Sequence, residues 1–235
     1  FEDKTLALAG KHKAIPVFAR LILIMHEIAV YDAYSTYGGG IVQSKRAEVR
    51  IEDSKILSDD WYTLTKYTFD LRRRDGEWQR QNREVYDRGN GATILLYNRQ
   101  KRTVILTRQF RFPVFINGHD GYLIEAAAGL LDNMDPENRI KAEAEEETGY
   151  RVANVQKVFE AFMSPGSVTE KLFFYTAEYQ SGDKISQGGG IEAEGEAIEV
   201  MELTLDDALA AIDSGLICDG KTIMLLYHVA LKKIL

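Results

Sequence analysis

The stretch Leu123-Ile-Glu-Ala126-Ala-Ala-Gly129-Leu-Leu-Asp-Asn-Met-Asp135-Pro-Glu-Asn-Arg-Ile-Lys-Ala142-Glu143-Ala-Glu-Glu146-Glu147-Thr-Gly149-Tyr150 decides the fold. A short strand, Leu123–Glu125, runs into Ala126–Gly129, whose small side chains permit close backbone approach. Asp135-Pro136 then starts a helix: Asp caps free backbone N–H groups, and Pro suits the first helical position. Gly149 supplies a left-handed stop. Helical spacing puts Glu143, Glu146 and Glu147 on one face and turns Glu145 away. Three like charges on one turn repel unless a cation sits among them, and carboxylates with open water positions suit Mg²⁺ or Mn²⁺. Taken alone, the run equally describes a solvated acidic helix face.

Outward from this helix, the chain alternates strands and helices. On the N-terminal side, Ala92–Tyr97 and Thr103–Thr107 read as a strand pair around a polar turn. Trp61–Leu71 and Trp78–Tyr86 read as a hairpin closed by Arg74-Asp75-Gly76-Glu77, with its Asp-Gly turn signal. On the C-terminal side come strands near Val155–Met163 and Leu172–Glu178, then a Gly/Glu-rich loop, Gly188–Ala197. A strand at Ile198–Leu203 and helices at Leu205–Leu209 and Thr222–Leu235 follow. Without strict βαβ alternation, this predicts a mixed sheet flanked by helices. A second acidic cluster, Glu192, Glu194, Glu196 and Glu199, follows the triple glycine Gly188–Gly190. A metal site with ligands on a rigid helix and a base on a loop has this pattern.

Composition narrows the function. The net charge of −7 provides no basic footprint for nucleic acid. Cys218 is the single cysteine, which excludes an intrachain disulfide and a cysteine zinc cluster and suits a reducing compartment such as the cytoplasm. The apolar run Ile15–Val30 is broken by Arg20, His26 and Glu27, so it reads neither as a membrane span nor as a signal peptide. His12, His26, His119 and His228 are scattered, and His119 reads as a turn residue. The triple glycines lack the Lys-Ser/Thr of a phosphate-binding loop. Residues 1–46, with a candidate helix at Pro16–Tyr31, form an extension of no assigned role. Residues 47–90 make a small antiparallel sheet, and 91–235 the main domain.

The segment Gly129–Tyr150 resembles the Nudix box, in which a glycine precedes a glutamate by five residues and the box ends in Arg-Glu-apolar-any-Glu-Glu-any-Gly-apolar. It departs in three places. Asp135 replaces the first glutamate, the spacer is one residue short, and Ala142 stands where the arginine belongs. The short spacer resembles the bacterial GDP-mannose hydrolase branch of the superfamily. Arg139, one turn before Glu143, is the candidate replacement for the arginine. Further landmarks of that branch are Arg83–Thr93, Arg108–Arg111, Met163–Gly166 with Thr169-Glu170, and Asp219-Gly220-Lys221-Thr222.

The resemblance implies a Nudix fold of the α/β (α+β) class: a mixed sheet sandwiched between helices, preceded by the small antiparallel sheet. It implies that the Ala128 carbonyl, Glu143, Glu147 and Glu196 hold Mg²⁺ or Mn²⁺, with Glu146 assisting. The metal would neutralise bridging phosphates and acidify a water. The general base is divided between Glu194 and Glu196. Substrate would meet Arg111, the Ala128-Gly129-Leu130 backbone, Glu170 and Lys221, with Trp61 stacking on the base. Arg83 and Glu84 would reach the partner's site in a homodimer that exchanges its N-terminal sheets. The implied reaction is hydrolysis of a nucleotide sugar, GDP-mannose giving GMP and mannose 1-phosphate. The alternatives are an ADP-ribose or ADP-sugar pyrophosphatase, and a Nudix-fold protein that binds a nucleotide without turnover.

Overall fold

Gly91–Asn98 (β4), with Ile94-Leu95-Leu96 at its middle, becomes the centre of the main sheet, with every residue buried. Such burial needs neighbours on both edges and layers on both faces. The computed structural model, which describes residues 46–191, 193 and 195–235, supplies both. β5 (Thr103–Phe110) and β9 (Lys171–Glu178) flank β4, and β10 (Glu199–Thr204) and β8 (Val155–Phe162) are the outer strands, in the order β10-β5-β4-β9-β8. β6 (Tyr122–Glu125) adds to β5, and β7 (Ala127–Leu130) to β4. The β4–β9 pair is parallel and the other pairs are antiparallel, so the sheet is mixed.

The period of two along β4 sorts two cores. Leu95 and Tyr97 face a cluster with Val104, Leu106 and Phe174, covered by α3 (Leu205–Asp213) and α4 (Gly220–Leu231). Ala92, Ile94 and Leu96 face a second cluster, with Ile140 and Ala144 of α2 (Pro136–Thr148) and with Tyr150, Tyr175 and Tyr179. The layering is helix, sheet, helix, as the sequence implied. A further short helix, α1 (Phe112–Ile116), was not predicted.

Ahead of this body, β1 (Val49–Asp59), β2 (Thr63–Arg72) and β3 (Trp78–Asp87) form the small antiparallel sheet. Its β2–β3 turn closes as expected, with Gly76 in the left-handed region and Arg73 N–H donating to Glu77 O at 2.8 Å. Trp61 falls in the bend between β1 and β2, outside the strand predicted for it. β3 touches the main body at Tyr86, which exchanges backbone hydrogen bonds with Ser167 (2.8 Å) and Thr169 (3.1 Å). The candidate helix Pro16–Tyr31 and the candidate base Glu194 lie outside the described residues.

Candidate active site

Helix α2 is built as its sequence dictates. Asp135 accepts from the N–H groups of Glu137 and Asn138, both at 3.1 Å, Pro136 occupies the first turn, and Gly149 ends the helix at φ 79°. Glu143 and Glu147, one turn apart, are buried against β7, whereas Glu145 turns outward to a two-bond pairing with Arg151 at 2.7 and 2.8 Å. Glu147 accepts from Ala128 N–H at 3.3 Å. Gly129 is where helix and strand come closest: an added Cβ would lie 1.7 Å from Glu143 Oε1. The small residues upstream of the helix are therefore a steric requirement of the acidic face.

The missing box arginine has a substitute in the geometry. Arg139 pairs with Glu143, lies 3.7 Å from Glu146, and donates from Nε to Leu130 O at 3.0 Å. One guanidinium thus joins two of the three acids to the strand bordering them.

The acidic loop is attached to the same helix. Gly189 N–H donates to Glu147 O at 2.9 Å and Gly190 N–H to Glu146 O at 3.2 Å, while Ile198 N–H closes the neck on Gly189 O at 3.1 Å. Glu196, half-buried, accepts from Ile191 N–H at 2.9 Å. Glu199 belongs to β10 and lies 3.4 Å from Arg108, apart from this group. Burial, then the charges of Glu143 and Glu196, push Glu147 up to about 8 against the opposing pull of Arg111 and Ala128 N–H. A buried carboxyl raised this far, with two further carboxylates beside it, fits a divalent cation, whose charge would oppose the effect. Among the described residues no three acidic, His or Cys side chains are already drawn together at metal-binding spacing. Glu143 and Glu146 are instead held by Arg139.

Two adjoining cavities meet at this face. One, about 520 Å³, is bordered by Trp61, Tyr62, Arg139, Glu143, Glu146 and Glu196. The other, about 560 Å³, is bordered by Glu125, Ser164, Glu170, Asp219 and Lys221. Arg88, Arg111 and Ala128–Leu130 border both. The helix and loop acids and the exposed indole of Trp61 border the first cavity, Lys221 with Glu125, Glu170 and Asp219 borders the second, and Arg88 and Arg111 stand between them. Burial disfavours the charge on Arg111, but Glu125, with Nε–Oε2 at 2.7 Å, raises its pKa above the ordinary value. Lys221 sits in the first turn of α4, paired with Glu125 and 3.1 Å from Asp219.

Most of the residues singled out from sequence are therefore gathered here. Arg83 is not: it borders a separate cavity of about 570 Å³ with Val49, Ile51, Tyr67, Phe69, Val85 and the 165–169 loop. Glu84 is exposed on β3 opposite Lys66 and borders neither cavity of the site. Sequence reasoning missed two charged residues. Arg88 lies at the β3–β4 junction, 3.5 Å from Glu170, with its guanidinium 5.6 Å from the Tyr62 ring centre. It falls inside the landmark stretch Arg83–Thr93, in which no contact is assigned to it. Glu125 was read as a strand end and gave no other signal. His119 is a turn residue, accepting from Gly121 N–H at 3.2 Å.

A family model described as the GDP-mannose pyrophosphatase NudK N-terminal domain matches residues 48–86, the small sheet. A GDP-mannose pyrophosphatase of Pectobacterium atrosepticum is 57% identical over 185 residues, covering 78% of this chain and 95% of that protein. One from Yersinia pestis is 57% identical over 183 residues, 77% of this chain and 91% of the relative. One from Klebsiella pneumoniae is 53% identical over 181 residues, covering 77% and 90%. A solved ADP compounds hydrolase superposes with a TM-score of 0.61 over 78% of this chain and 92% of that one. At 15% identity, that likeness speaks for the fold alone.

Proposed function

The chain belongs to the GDP-mannose pyrophosphatase family of Nudix hydrolases, and we propose that it hydrolyses the diphosphate bridge of GDP-mannose to GMP and mannose 1-phosphate. The observation that carries this reading is the crowding of Glu143 and Glu196 on a buried Glu147, beside a cavity bordered by Arg88, Arg111 and Lys221. The acids suit a cation, and Arg88, Arg111 and Lys221 suit the substrate's phosphates.

Ala128, Glu143, Glu147 and Glu196 would hold the cation, which we read as Mg²⁺ or Mn²⁺ because the donors are oxygens. When bound, it supplies neutralisation of the bridging phosphates and an acidified water. The protein's own groups do the rest. Arg139 keeps Glu143 and Glu146 in register with β7. Arg111, Arg88 and Lys221 draw phosphate oxygens by charge and, for arginine, by paired N–H groups. Glu196 or Glu194 accepts the proton of the attacking water. Its oxygen then bonds to phosphorus as the bridging P–O bond breaks and the second phosphate leaves. Trp61 offers an exposed ring for the base, and Glu170 acceptors for sugar hydroxyls.

We assign residues 47–90 to subunit exchange and 91–235 to the hydrolase domain. All of β1 is exposed, and Arg83 and Glu84 lie away from their own chain's acids. Both facts support a homodimer whose sheets are exchanged, each delivering Arg83 and Glu84 to the partner's site. The cytoplasm is the compartment we favour, on the single cysteine and because, among the described residues, no helix is long and apolar enough to cross a membrane.

The test is a panel of nucleotide sugars, GDP-mannose and ADP-ribose included, incubated with Mg²⁺ or Mn²⁺ and assayed for nucleoside monophosphate. Preferential release of GMP from GDP-mannose is expected. Tight binding without turnover of any member would replace hydrolysis by sensing.

A further inference from the structure

Glu125 is a buried carboxylate whose two oxygens are taken by two different cations. It ends β6 with 4% of its side chain exposed. Oε2 accepts from Arg111 Nε at 2.7 Å, and Oε1 accepts from Lys221 Nζ. Arg111 follows β5 and Lys221 opens α4, so the carboxylate ties a strand end to a helix start. The adjoining backbone is tied to that helix as well. Ala126 N–H donates to Thr222 Oγ1 at 2.7 Å, and the Thr222 hydroxyl donates to Asp219 Oδ2 at 2.6 Å. Asp219 also caps α4 through Thr222 N–H at 3.0 Å and lies 3.1 Å from Lys221 Nζ.

Both cations border the same cavity and keep donors to spare. An arginine carries five N–H groups and this pairing takes one, while a lysine carries three and the two carboxylates take one each. Two long side chains of like sign would otherwise repel, and each would lose rotamer freedom on gripping a ligand. A buried carboxylate between them removes both costs before any ligand arrives. It also stays put, because freeing either oxygen would leave a buried charge unpaired.

We propose that Glu125 is a positioning residue: it sets Arg111 and Lys221 at a fixed spacing, so that their remaining donors form one seat for phosphate oxygens. The proposal rests on the reading above that this cavity takes the phosphates. Glu125 itself touches no reacting atom and acts through its two partners.

The experiment compares Glu125→Gln with wild type in steady-state kinetics, Mn²⁺ titration and thermal melting. Glutamine keeps the volume but turns an N–H group toward one of the cations. Expected is a rise in KM of about tenfold, within the range of coupling between residues of one ion-pair network. The kcat should fall less, and Mn²⁺ affinity should stay unchanged. The effect of Glu125→Gln should disappear in an Arg111→Ala/Lys221→Ala background, since a residue acting through others is non-additive with them. An unchanged KM, or a full effect of Glu125→Gln without the two cations, overturns the proposal in favour of simple structural pairing. If Glu125→Gln does not fold, Glu125→Met/Lys221→Met replaces the pair by apolar side chains of similar volume. A higher KM than in Lys221→Met alone then supports the proposal, and an equal KM overturns it. Should the panel yield no turnover, the same variants are titrated with inorganic diphosphate and Mn²⁺ in a calorimeter. Weaker binding by Glu125→Gln than by wild type supports the seat. Equal binding, or none by wild type, overturns it whatever the substrate proves to be.

Discussion

The two sheets of this protein are made differently. β4 of the main sheet is buried along all 8 residues, whereas β1 of the small sheet is exposed along all 11. The main sheet has helices over both faces and two apolar clusters. The small sheet leaves Val49, Ile51, Ile56, Leu57 and Trp61 in the open, and Arg80 spans Asp70 (2.9 Å) and Glu52 (3.4 Å) across its surface. Exposed ion pairs of that kind contribute little to stability. One sheet therefore carries its own core, and the other is a surface whose apolar residues await cover, which the proposed exchange would provide.

The largest expected contrast comes from truncating one residue in each. Phe174, fully buried in the main sheet, should cost about 3–5 kcal/mol as Phe174→Ala. Ile56→Ala in β1 should stay within about 0.5 kcal/mol if the sheet stands alone. Chemical denaturation of both variants across a range of protein concentrations decides the matter. A large, concentration-dependent loss for Ile56→Ala would show that a second copy covers the strand.

Next in size is Glu147→Gln, at the helix bordering the main sheet. Its loss of activity should exceed the roughly 10- to 100-fold that removal of an outer-shell group costs a metal site. The same variant tests the titration. Glu147 is raised in the folded protein from 4.5 to about 8. Its stabilising protonated form is therefore complete below pH 4.5 and is lost as pH rises through about 8. Metal-free wild type should thus melt progressively lower over that window, and Glu147→Gln should not. Binding of Mg²⁺ at pH 7 should release about one proton in wild type, read by calorimetry in two buffers of different ionisation enthalpy.

A sharper test of the small sheet mixes two damaged chains. Arg83→Ala and Glu147→Gln should each be nearly inactive alone. Co-expressed, they should recover about one quarter of wild-type activity, because half the dimers then carry one intact exchanged site. No recovery would assign Arg83 to its own chain. The smallest effect expected is that of Trp61→Ala: a severalfold rise in KM, corresponding to the ~0.5–1.5 kcal/mol of one aromatic contact, with kcat unchanged.

The same contrast governs how far sequence could see. The main sheet was legible because its strands are apolar runs between turn residues, and α2 because Asp135, Pro136 and Gly149 mark its ends. β1 was covered only by the span 47–90 assigned to a small antiparallel sheet, with no strand placed in it. Its polar residues show no buried alternation, and its pairing with β2 shifts register at Ile51/Asp53 and Ile56/Ser58. α1 is five residues long with no side-chain cap, and Pro113 in its first turn is its one local mark. In the site, the acids could be sorted because helix geometry relates near neighbours. Glu125 could not, since its partner Lys221 is 96 residues away and only the tertiary fold pairs them.

Gly149, which ends the acidic helix, has a closer relation to the loop than a hydrogen bond. A Cβ there would lie 2.3 Å from Ser186 O, and one on Gly188 would lie 2.5 Å from Glu147 O. Two stretches of backbone are meshed like gear teeth, with no room for a side chain on either. The root of the loop cannot drift without dragging the helix, so any lid-like stroke must pivot beyond Gly190. Lengthening or shortening the tip would change how far its acids reach while leaving the root undisturbed. Inheritance could therefore retune the proposed base by insertions and deletions at a fixed socket, a freer route than substitution on the helix allows.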